Sequence, residues 1–193
     1  MTIATPLFEG KDIRITAIDP EQDAAVISPL THNLDFSQWL RREPARLMSV
    51  FELKKHFETF QKKSEESHDR FVYAIRLRAG DRLIGLLTMN WIAWSNGACN
   101  FHINIADPAD RQSYGPEALK MALAYIFDEL NLNRAETYVA EYSLEEMTHC
   151  ENEGFVQEIR RRQVLYRQGR LWDCFIYGLL REERRGCESE AEK

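Results

Sequence analysis

The stretch that most constrains the fold is a strand, a tight turn and a helix in immediate succession. Residues 101–105 alternate between apolar and polar side chains, which predicts a strand. An apolar helix is predicted from Glu117 to about Leu130. Between them, Gly115 allows a sharp turn or a close approach to a ligand because it has no Cβ atom. Pro116 suits the first helical position. Such a turn leaves backbone N–H groups unpaired, which predicts a phosphate site; a plain strand–turn–helix is the alternative.

Composition places the chain among ordinary globular proteins. It has 193 residues, of which 44% are hydrophobic and 29% charged, so we expect one domain with its own core. No apolar run approaches the length of a membrane span and no signal-peptide pattern is present, so we expect a cytoplasmic protein without membrane association. The four cysteines are scattered, which predicts free thiols and no metal site.

The net charge of −6 argues against nucleic acid as the main partner and favours a cationic substrate. Arg160-Arg161-Arg162 is the one basic run. Because side chains alternate along a strand, these arginines would lie on opposite faces, and we interpret the run as a solvated strand. Nucleic-acid binding through this run is the weaker alternative.

Short strands alternate with helices along the rest of the chain. Strands are predicted at residues 11–18, 71–78, 83–94, 98–106, 136–140, 156–166 and 170–180, with a hairpin turn at 95–97. Helices are predicted from residue 19 to 27 and over residues 37–66, 117–130 and 144–152, a charged loop over 62–70 and a frayed tail over 181–193. This order predicts a single mixed α/β domain, with a mostly antiparallel central sheet flanked by helices.

Three stretches together resemble a known family. They are Asp107-Pro108 with Tyr114-Gly115-Pro116-Glu117-Ala118-Leu119, Leu132-Asn133-Arg134-Ala135 with Glu151-Asn152-Glu153-Gly154-Phe155, and Gly169-Arg170-Leu171-Trp172-Asp173 with residues 177–183. Their order and spacing resemble the GNAT superfamily of acyl-CoA N-acyltransferases, over nearly the whole chain. The similarity is greatest to the branch of ribosomal-protein N-terminal acetyltransferases and spermidine acetyltransferases. On this basis we expect residues 1–183 to form the acetyltransferase domain and residues 184–193 a charged, disordered tail.

The resemblance implies the GNAT fold and acetyl-CoA as the acyl donor. It also implies direct attack on the thioester by a primary amine, which would be a polyamine, a small amine or a peptide N-terminus. A homodimer is common in this branch. The residues expected to bind the coenzyme are Ile105, Arg111, Gln112, Ser113, Tyr114, Gly115, Pro116, Glu117 and Ser143.

Some positions depart from the family pattern. The loop before Gly115 is one residue shorter than usual, and Ser113 or Tyr114 replaces the first motif glycine. Cys150 stands where many members have the tyrosine that protonates the departing thiolate. These departures support an alternative function, a catalytically degenerate GNAT-fold protein that binds acyl-CoA or acts through protein interaction.

Two residues are candidates for catalysis. His102 shares one strand face with Asn100 and Asn104 and titrates near neutral pH, so it is the candidate base; a solvated or merely hydrogen-bonded histidine is the alternative. Cys150 is the candidate proton donor, expected on the inward side of its helix with Leu144 and Met147. A small buried core cysteine is the alternative for Cys150.

Aromatic side chains are candidates for the acceptor pocket, because aromatic faces attract cationic amines. Ordinary core packing is the alternative. The candidates are Trp39, Trp91, Trp94 and Tyr142.

Overall fold

The structure, a computed structural model, describes residues 7–34, 36–37 and 46–184. Its strands form one seven-stranded sheet in the order β1-β2-β3-β4-β5-β7-β6. The strands are β1 (Ile13–Ala17), β2 (Phe71–Leu77), β3 (Leu83–Ala93), β4 (Ala98–Ile105), β5 (Arg134–Ala140), β6 (Val156–Arg167) and β7 (Arg170–Leu180). The helices are α1 (Pro20–Leu30), α2 (Val50–Ser67), α3 (Pro108–Ala124), continued by a π-helical turn over Tyr125–Glu129, and α4 (Leu144–Asn152).

Strand pairing confirms the predicted mixed, mostly antiparallel sheet. β4 pairs with β5 in parallel at Ala98–Asn100 and Arg134–Glu136. The pairs β1–β2, β2–β3, β5–β7 and β6–β7 are antiparallel. None of the helices in the described ranges is long and apolar enough to cross a membrane.

The described residues fall into two compact units. The first contains the chain up to Ile92 together with His102–Ala122, and the second contains Ala93–Phe101 together with the chain from Leu123 onward. The last half of β4 and most of α3 therefore belong to the first unit, whereas β5, α4, β6 and β7 belong to the second.

The core of the first unit lies where α1 and α2 pack. Ile27 of α1 and Leu53 and Phe57 of α2 are 0–1% exposed. The cluster comprises Ile18, Ala24, Ile27, Phe36, Met48, Leu53, Phe57, Ala74, Leu83, Leu86 and Ala106. Burying such side chains removes their apolar area from water and stabilises the unit, by about 1.5–3 kcal/mol for each large side chain.

A buried ion pair joins α1 to β2 inside this unit. The Asp23 carboxylate is 2% exposed and contacts the Arg76 guanidinium. Arg76 also donates from Nε to Thr16 Oγ1 at 3.0 Å, and Asp23 accepts from the Asp19 N–H at 2.9 Å. The pair fixes α1 against the sheet because neither charge has easy access to water.

Arg181, the residue directly after β7, makes several hydrogen bonds to backbone carbonyls of the second unit. Its Nε donates to the Leu132 carbonyl at 3.0 Å, and its guanidinium also reaches the Phe127 carbonyl. Its own N–H donates to the Asn133 carbonyl at 3.0 Å. Arg181 thereby caps the end of the π-helical turn with a charged donor, the polarity that a helix C-terminus favours.

Three predicted boundaries are wrong. Residues 46–49 are not helical, because Ser49 and Glu52 form a capping box that starts α2 at Val50. The predicted loop over 62–70 continues α2 as far as Ser67, since lysine and glutamate are good helix formers. The predicted frayed tail begins too early, because residues 181–184 form a helical turn. Residues 38–45 and 185–193 lie outside the described ranges.

Candidate functional site

The start of α3 follows β4 directly, and Asp107 caps it. The Asp107 Oδ1 accepts from the N–H groups of Ala109 at 2.8 Å and Asp110 at 3.2 Å. The Asp107 carbonyl accepts from the Arg111 N–H at 2.9 Å. Pro108 has no N–H. The prediction that this turn leaves several unpaired N–H groups is therefore wrong for the structure as described, because one aspartate satisfies them.

Gly115 and Pro116 lie inside α3 instead of at its beginning. The prediction that Pro116 opens the helix is wrong because Asp107 and Pro108 form an earlier start, a capping carboxylate followed by proline at the first helical position. Pro116 cannot donate to the Gln112 carbonyl, so α3 lacks one backbone hydrogen bond there.

Charged side chains flank the first turn of α3. The Arg82 guanidinium makes two hydrogen bonds to the Asp110 carboxylate, at 2.8 and 2.9 Å. Arg111 donates from Nε to the carbonyl of Ile105, the last residue of β4, at 3.3 Å. The charges of Arg82 and Arg111 at the helix start are accompanied by those of Asp107 and Asp110, so the described side chains of this turn carry no net positive charge.

Glu117 has a structural partner. Its carboxylate accepts from the backbone N–H of Lys11, and from that of Asp12 at 3.1 Å, and so holds α3 against the segment that leads into β1. Of the other predicted coenzyme residues, Gln112 and Ser113 are exposed, Tyr114 is half-buried and Gly115 is buried. Of these predicted residues, Gln112 and Ser113 are therefore the most accessible to a ligand that binds from solvent.

His102 lies in the half of β4 that belongs to the first unit, and it is 8% exposed. A solvated His102 is therefore ruled out, whereas the alternative of a merely hydrogen-bonded histidine stays an alternative to the base. Nearby, the Asn104 side-chain amide donates to the Phe36 carbonyl at 3.0 Å, and the Asn33 amide donates to the Ala106 carbonyl at 2.8 Å. These bonds fix the segment after α1 to the end of β4.

Ser37 continues this attachment. Its hydroxyl donates to the Arg46 carbonyl at 2.7 Å and accepts from the Arg46 N–H at 3.1 Å. These two hydrogen bonds join Ser37 to Arg46. Trp39, a predicted acceptor residue, lies between these two positions and outside the described residues.

Gly85 is a residue of the site region that the sequence reasoning missed. A Cβ atom at Gly85 would lie 2.5 Å from the Asn104 carbonyl oxygen and 2.9 Å from the Ile105 side chain. Glycine thus lets β3 approach the end of β4 that leads into α3. The available signal was an isolated glycine inside a strand pattern, which indicates a bulge or a close backbone approach.

In the second unit, α4 carries Ser143 and Cys150. Ser143 occupies the N-cap position without a side-chain capping hydrogen bond. Cys150 is 5% exposed, and burial raises its pKa to about 12, assisted by the charges of Glu146 and Glu151. Leu144 is 70% exposed, so the prediction that it faces inward with Cys150 is wrong. Six helical residues span about one and two-thirds turns, which places the two on different sides.

Tyr177 is a second buried acid in this unit. Its hydroxyl donates to the Glu151 carboxylate at 3.1 Å. Burial raises the pKa of Tyr177 to about 12, and the hydrogen bond to Glu151 adds to the shift. The hydrogen bond fixes α4 against β7.

The aromatic candidates divide by exposure. Trp91 is 68% exposed with a left-handed φ of 51°, and Trp94 is 48% exposed. Tyr142 is half-buried and packs edge-on against Trp172 with ring centroids 5.3 Å apart. The two tryptophans are therefore not core residues. In the described part of the chain, no three His, Cys, Asp or Glu side chains gather as metal ligands would.

Comparison with known families decides the class of protein. The family model described as an acetyltransferase (GNAT) domain matches residues 12–156. The chain belongs to the GNAT acetyltransferase family. The predicted family, the GNAT fold and the transferase class are confirmed, and the protein is an N-acetyltransferase at that coarse level.

Individual relatives are distant but similar over nearly their full length. An uncharacterized N-acetyltransferase named YokL, derived from the SPbeta prophage of Bacillus subtilis, is 22% identical over 94% of this chain and 97% of its own. A spermidine N-acetyltransferase from Vibrio cholerae, solved with CoA and spermine, has a TM-score of 0.75 and 23% identity over 90% of this chain and 98% of its own. A probable acetyltransferase has a TM-score of 0.77 and 20% identity over 90% and 96%.

Proposed function

We propose that this GNAT protein transfers an acetyl group from acetyl-CoA to a primary amine, which is a polyamine, a small amine or a peptide N-terminus. The observation that carries the proposal is the segment Asp107–Glu117, which follows β4 directly in a chain whose family match covers residues 12–156. Two points support an amine acceptor. The net charge of −6 attracts cations, and a similar structure is a spermidine N-acetyltransferase solved with CoA and spermine.

The proposed reaction is direct attack of the amine nitrogen on the thioester carbonyl carbon. A C–N bond forms, the C–S bond breaks, the sulfur leaves as the CoA thiolate and the nitrogen loses a proton. Because amines are mostly protonated near neutral pH, a base is required. His102 is the base in this proposal, since it lies buried on β4 beside the segment fixed by Asn104 and Asn33.

The thiolate must take up a proton, and Cys150 was the predicted donor. Burial raises the pKa of the Cys150 thiol to about 12. General acids act best when their pKa lies near the operating pH, so this shift weighs against the predicted role. Water is the proton source in our proposal, and Cys150 is a core residue of α4.

Donor binding requires a change in α3. Backbone N–H groups of residues 111–115 are the ones that would hold the pyrophosphate, yet these residues are helical. We propose that the stretch Pro108–Gly115 opens as the donor binds. Opening stops naturally at Pro116, where one helical hydrogen bond is already missing, and Gly115 lowers the helix propensity by about 1 kcal/mol relative to alanine.

Calorimetric titration with acetyl-CoA, followed by an assay of free CoA thiol, tests the proposal. Gln112→Glu adds a negative charge at an exposed position of the opening stretch, whereas Thr59→Glu adds one at an exposed position of α2. We expect Gln112→Glu to weaken binding by about tenfold or more and Thr59→Glu to leave it unchanged.

The amine panel contains spermidine, simple alkylamines and short peptides. Thiol release that depends on one of these amines supports the proposal. Tight acetyl-CoA binding without thiol release from any of them would instead support the alternative of a catalytically degenerate acyl-CoA-binding protein. Absence of acetyl-CoA binding would show that the altered loop has lost its donor.

A further inference from the structure

The basic run Arg160–Arg162 does not belong to the proposed acetyl-transfer site, and it shapes a cavity of its own within the second unit. The cavity measures about 560 Å³ and is lined by Arg160, Arg162, Gln163 and Asp173. Two guanidinium groups thus face one carboxylate. This is a local positive charge in a chain whose net charge is −6.

A large bulge in β6 creates the cavity. Arg161 pairs with Cys174 and Leu165 pairs with Trp172, so residues 162–164 of β6 lie opposite Asp173 alone. Gln163 adopts a left-handed φ of 52° within this bulge. Bulges of this kind re-aim side chains, and left-handed backbone at a residue other than glycine is uncommon and marks a locally constrained segment.

Asp173 holds the bulge in place. Its side chain is 8% exposed, and it accepts from the Arg160 Nε and from the Gln163 N–H, the latter at 2.9 Å. The Asp173 N–H in turn donates to the Glu141 carboxylate at 2.9 Å. The Gln163 N–H, followed by Arg160, holds the pKa of Asp173 below its usual range, so the carboxylate stays ionised near neutral pH.

Residues 156–164 of β6 are exposed, so the predicted solvated strand is confirmed, and the contact with Asp173 additionally orders Arg160 within it. Arg160 donates from Nε to Asp173, its side chain is 60% exposed, and both Arg160 and Arg162 line the cavity. Guanidinium groups are planar forks whose geometry matches carboxylate and phosphate oxygens, and charge-assisted hydrogen bonds of this type are among the strongest in proteins.

We propose that this cavity binds a small oxyanion, a phosphate or a dicarboxylate, through the guanidinium groups of Arg160 and Arg162. Asp173 is a positioning residue that fixes the bulge and orients Arg160. The residues that line this cavity belong to the second unit, whereas residues 107–117 belong to the first.

The test is an NMR titration of the full-length ¹⁵N-labelled protein with inorganic phosphate and, separately, with malonate, at constant ionic strength. We expect saturable shifts of the Gln163 and Asp173 amide signals. Arg162→Gln should raise the dissociation constant by about tenfold or more, because it removes one charge-assisted hydrogen-bonding group from the site. Whichever anion saturates at lower concentration identifies the preferred oxyanion.

Arg161→Gln is the matched control, because it removes the same charge from the same strand at an exposed residue paired with Cys174. It should change the dissociation constant by less than about twofold. Equal weakening by both variants would overturn the proposal, since it would indicate a general positive field. So would shifts confined to residues 107–117, or shifts that never saturate.

Two further arms keep the test decisive. Arg162→Lys retains the charge and loses the fork, so it should bind with intermediate strength and gives a result even if Arg162→Gln does not fold. A random single-stranded oligonucleotide is the last probe. Binding of the oligonucleotide that is stronger than phosphate binding and equally sensitive to Arg161→Gln would assign the run to nucleic acid and overturn the proposal.

Discussion

His102 is the residue on which the proposed chemistry depends most. It is 8% exposed on β4, so its imidazole lies out of bulk water. If it removes the proton from the amine, His102→Gln should lower kcat by about 10²–10⁴-fold, the usual contribution of a general base.

The pH profile separates a base from a structural histidine. If His102 acts as the base, the wild type should show an acidic limb in its profile of kcat/KM against pH, and this limb should disappear in His102→Gln. Raising the pH should partly restore the activity of the variant, because more of the amine is then neutral. A variant that keeps the wild-type profile at a lower level would contradict the base role.

Cys99 and Cys150 are expected to be inert thiols. Burial raises the pKa of each from 9.0 to about 12. The thiolate is the reactive form, so iodoacetamide at about pH 8 should leave both unmodified in the folded protein and label both in concentrated guanidinium chloride. Peptide mass spectrometry identifies which cysteines carry the label.

The same shifts fix a pH dependence. Burial raises both folded-state thiol pKa values, so the neutral thiols contribute fully to the free energy of unfolding below pH 9.0. This contribution is lost as the pH rises toward about 12, where the buried thiols ionise. Rapid native labelling of Cys150 would contradict its buried position and revive it as a proton donor.

At the scale of elements, the buried pair between α1 and β2 should dominate the stability of its unit. Asp23→Ala removes the buried counter-charge of the Arg76 guanidinium and leaves it the more distant, exposed Asp81 carboxylate at 3.9 Å, so it should reduce the free energy of unfolding by about 3 kcal/mol in urea denaturation. Glu21→Ala is the control. It breaks the contact with Lys54 on a side chain that is 72% exposed, and should cost about 1 kcal/mol or less.

Opening of α3 makes a prediction at an exposed position. Ser113→Ala and Ser113→Gly differ mainly in helix propensity, by about 1 kcal/mol. If acetyl-CoA binds only to the opened segment, the glycine variant should bind about fivefold more tightly than the alanine variant. The same pair at Thr59 of α2 should show equal affinities. Calorimetry that finds equal affinities for the Ser113 pair would contradict the opening.

Elements with clear periodicity were predictable from the sequence. Apolar alternation gave the strands from β1 to β7 within about two or three residues, and Asp19-Pro20 correctly marked the start of α1. Local signals suffice in these cases because backbone pairing and capping act over short distances.

The start of α3 was not predictable in this way, because the sequence offers two starts of similar quality. Asp107-Pro108 and Gly115-Pro116 both resemble helix beginnings. The Arg82 guanidinium, which pairs with Asp110, supports the earlier one, and that contact is distant in sequence. The ion pair of Asp23 with Arg76 and the bulge held by Asp173 were missed for the same physical reason, since nothing near them in sequence specifies the partner.

At the scale of the whole molecule, each of the two units holds different candidate functional residues. The first holds His102, the attached segment at Asn33–Ser37 and the start of α3. The second holds α4 with Cys150, and the cationic cavity at β6. Oligomeric state remains a prediction of a homodimer, and the domain boundary after residue 183 remains a prediction as well.

The central claim is acetyl transfer to an amine, and one measurement tests it most directly. The purified protein is incubated with acetyl-CoA and spermidine, and free CoA and acetylated spermidine are quantified together, with His102→Gln and a protein-free sample in parallel. We expect equal amounts of the two products with the wild type and strongly reduced amounts of both with the variant. CoA release without an acetylated amine, or neither product with spermidine or any other primary amine of the panel, would contradict it.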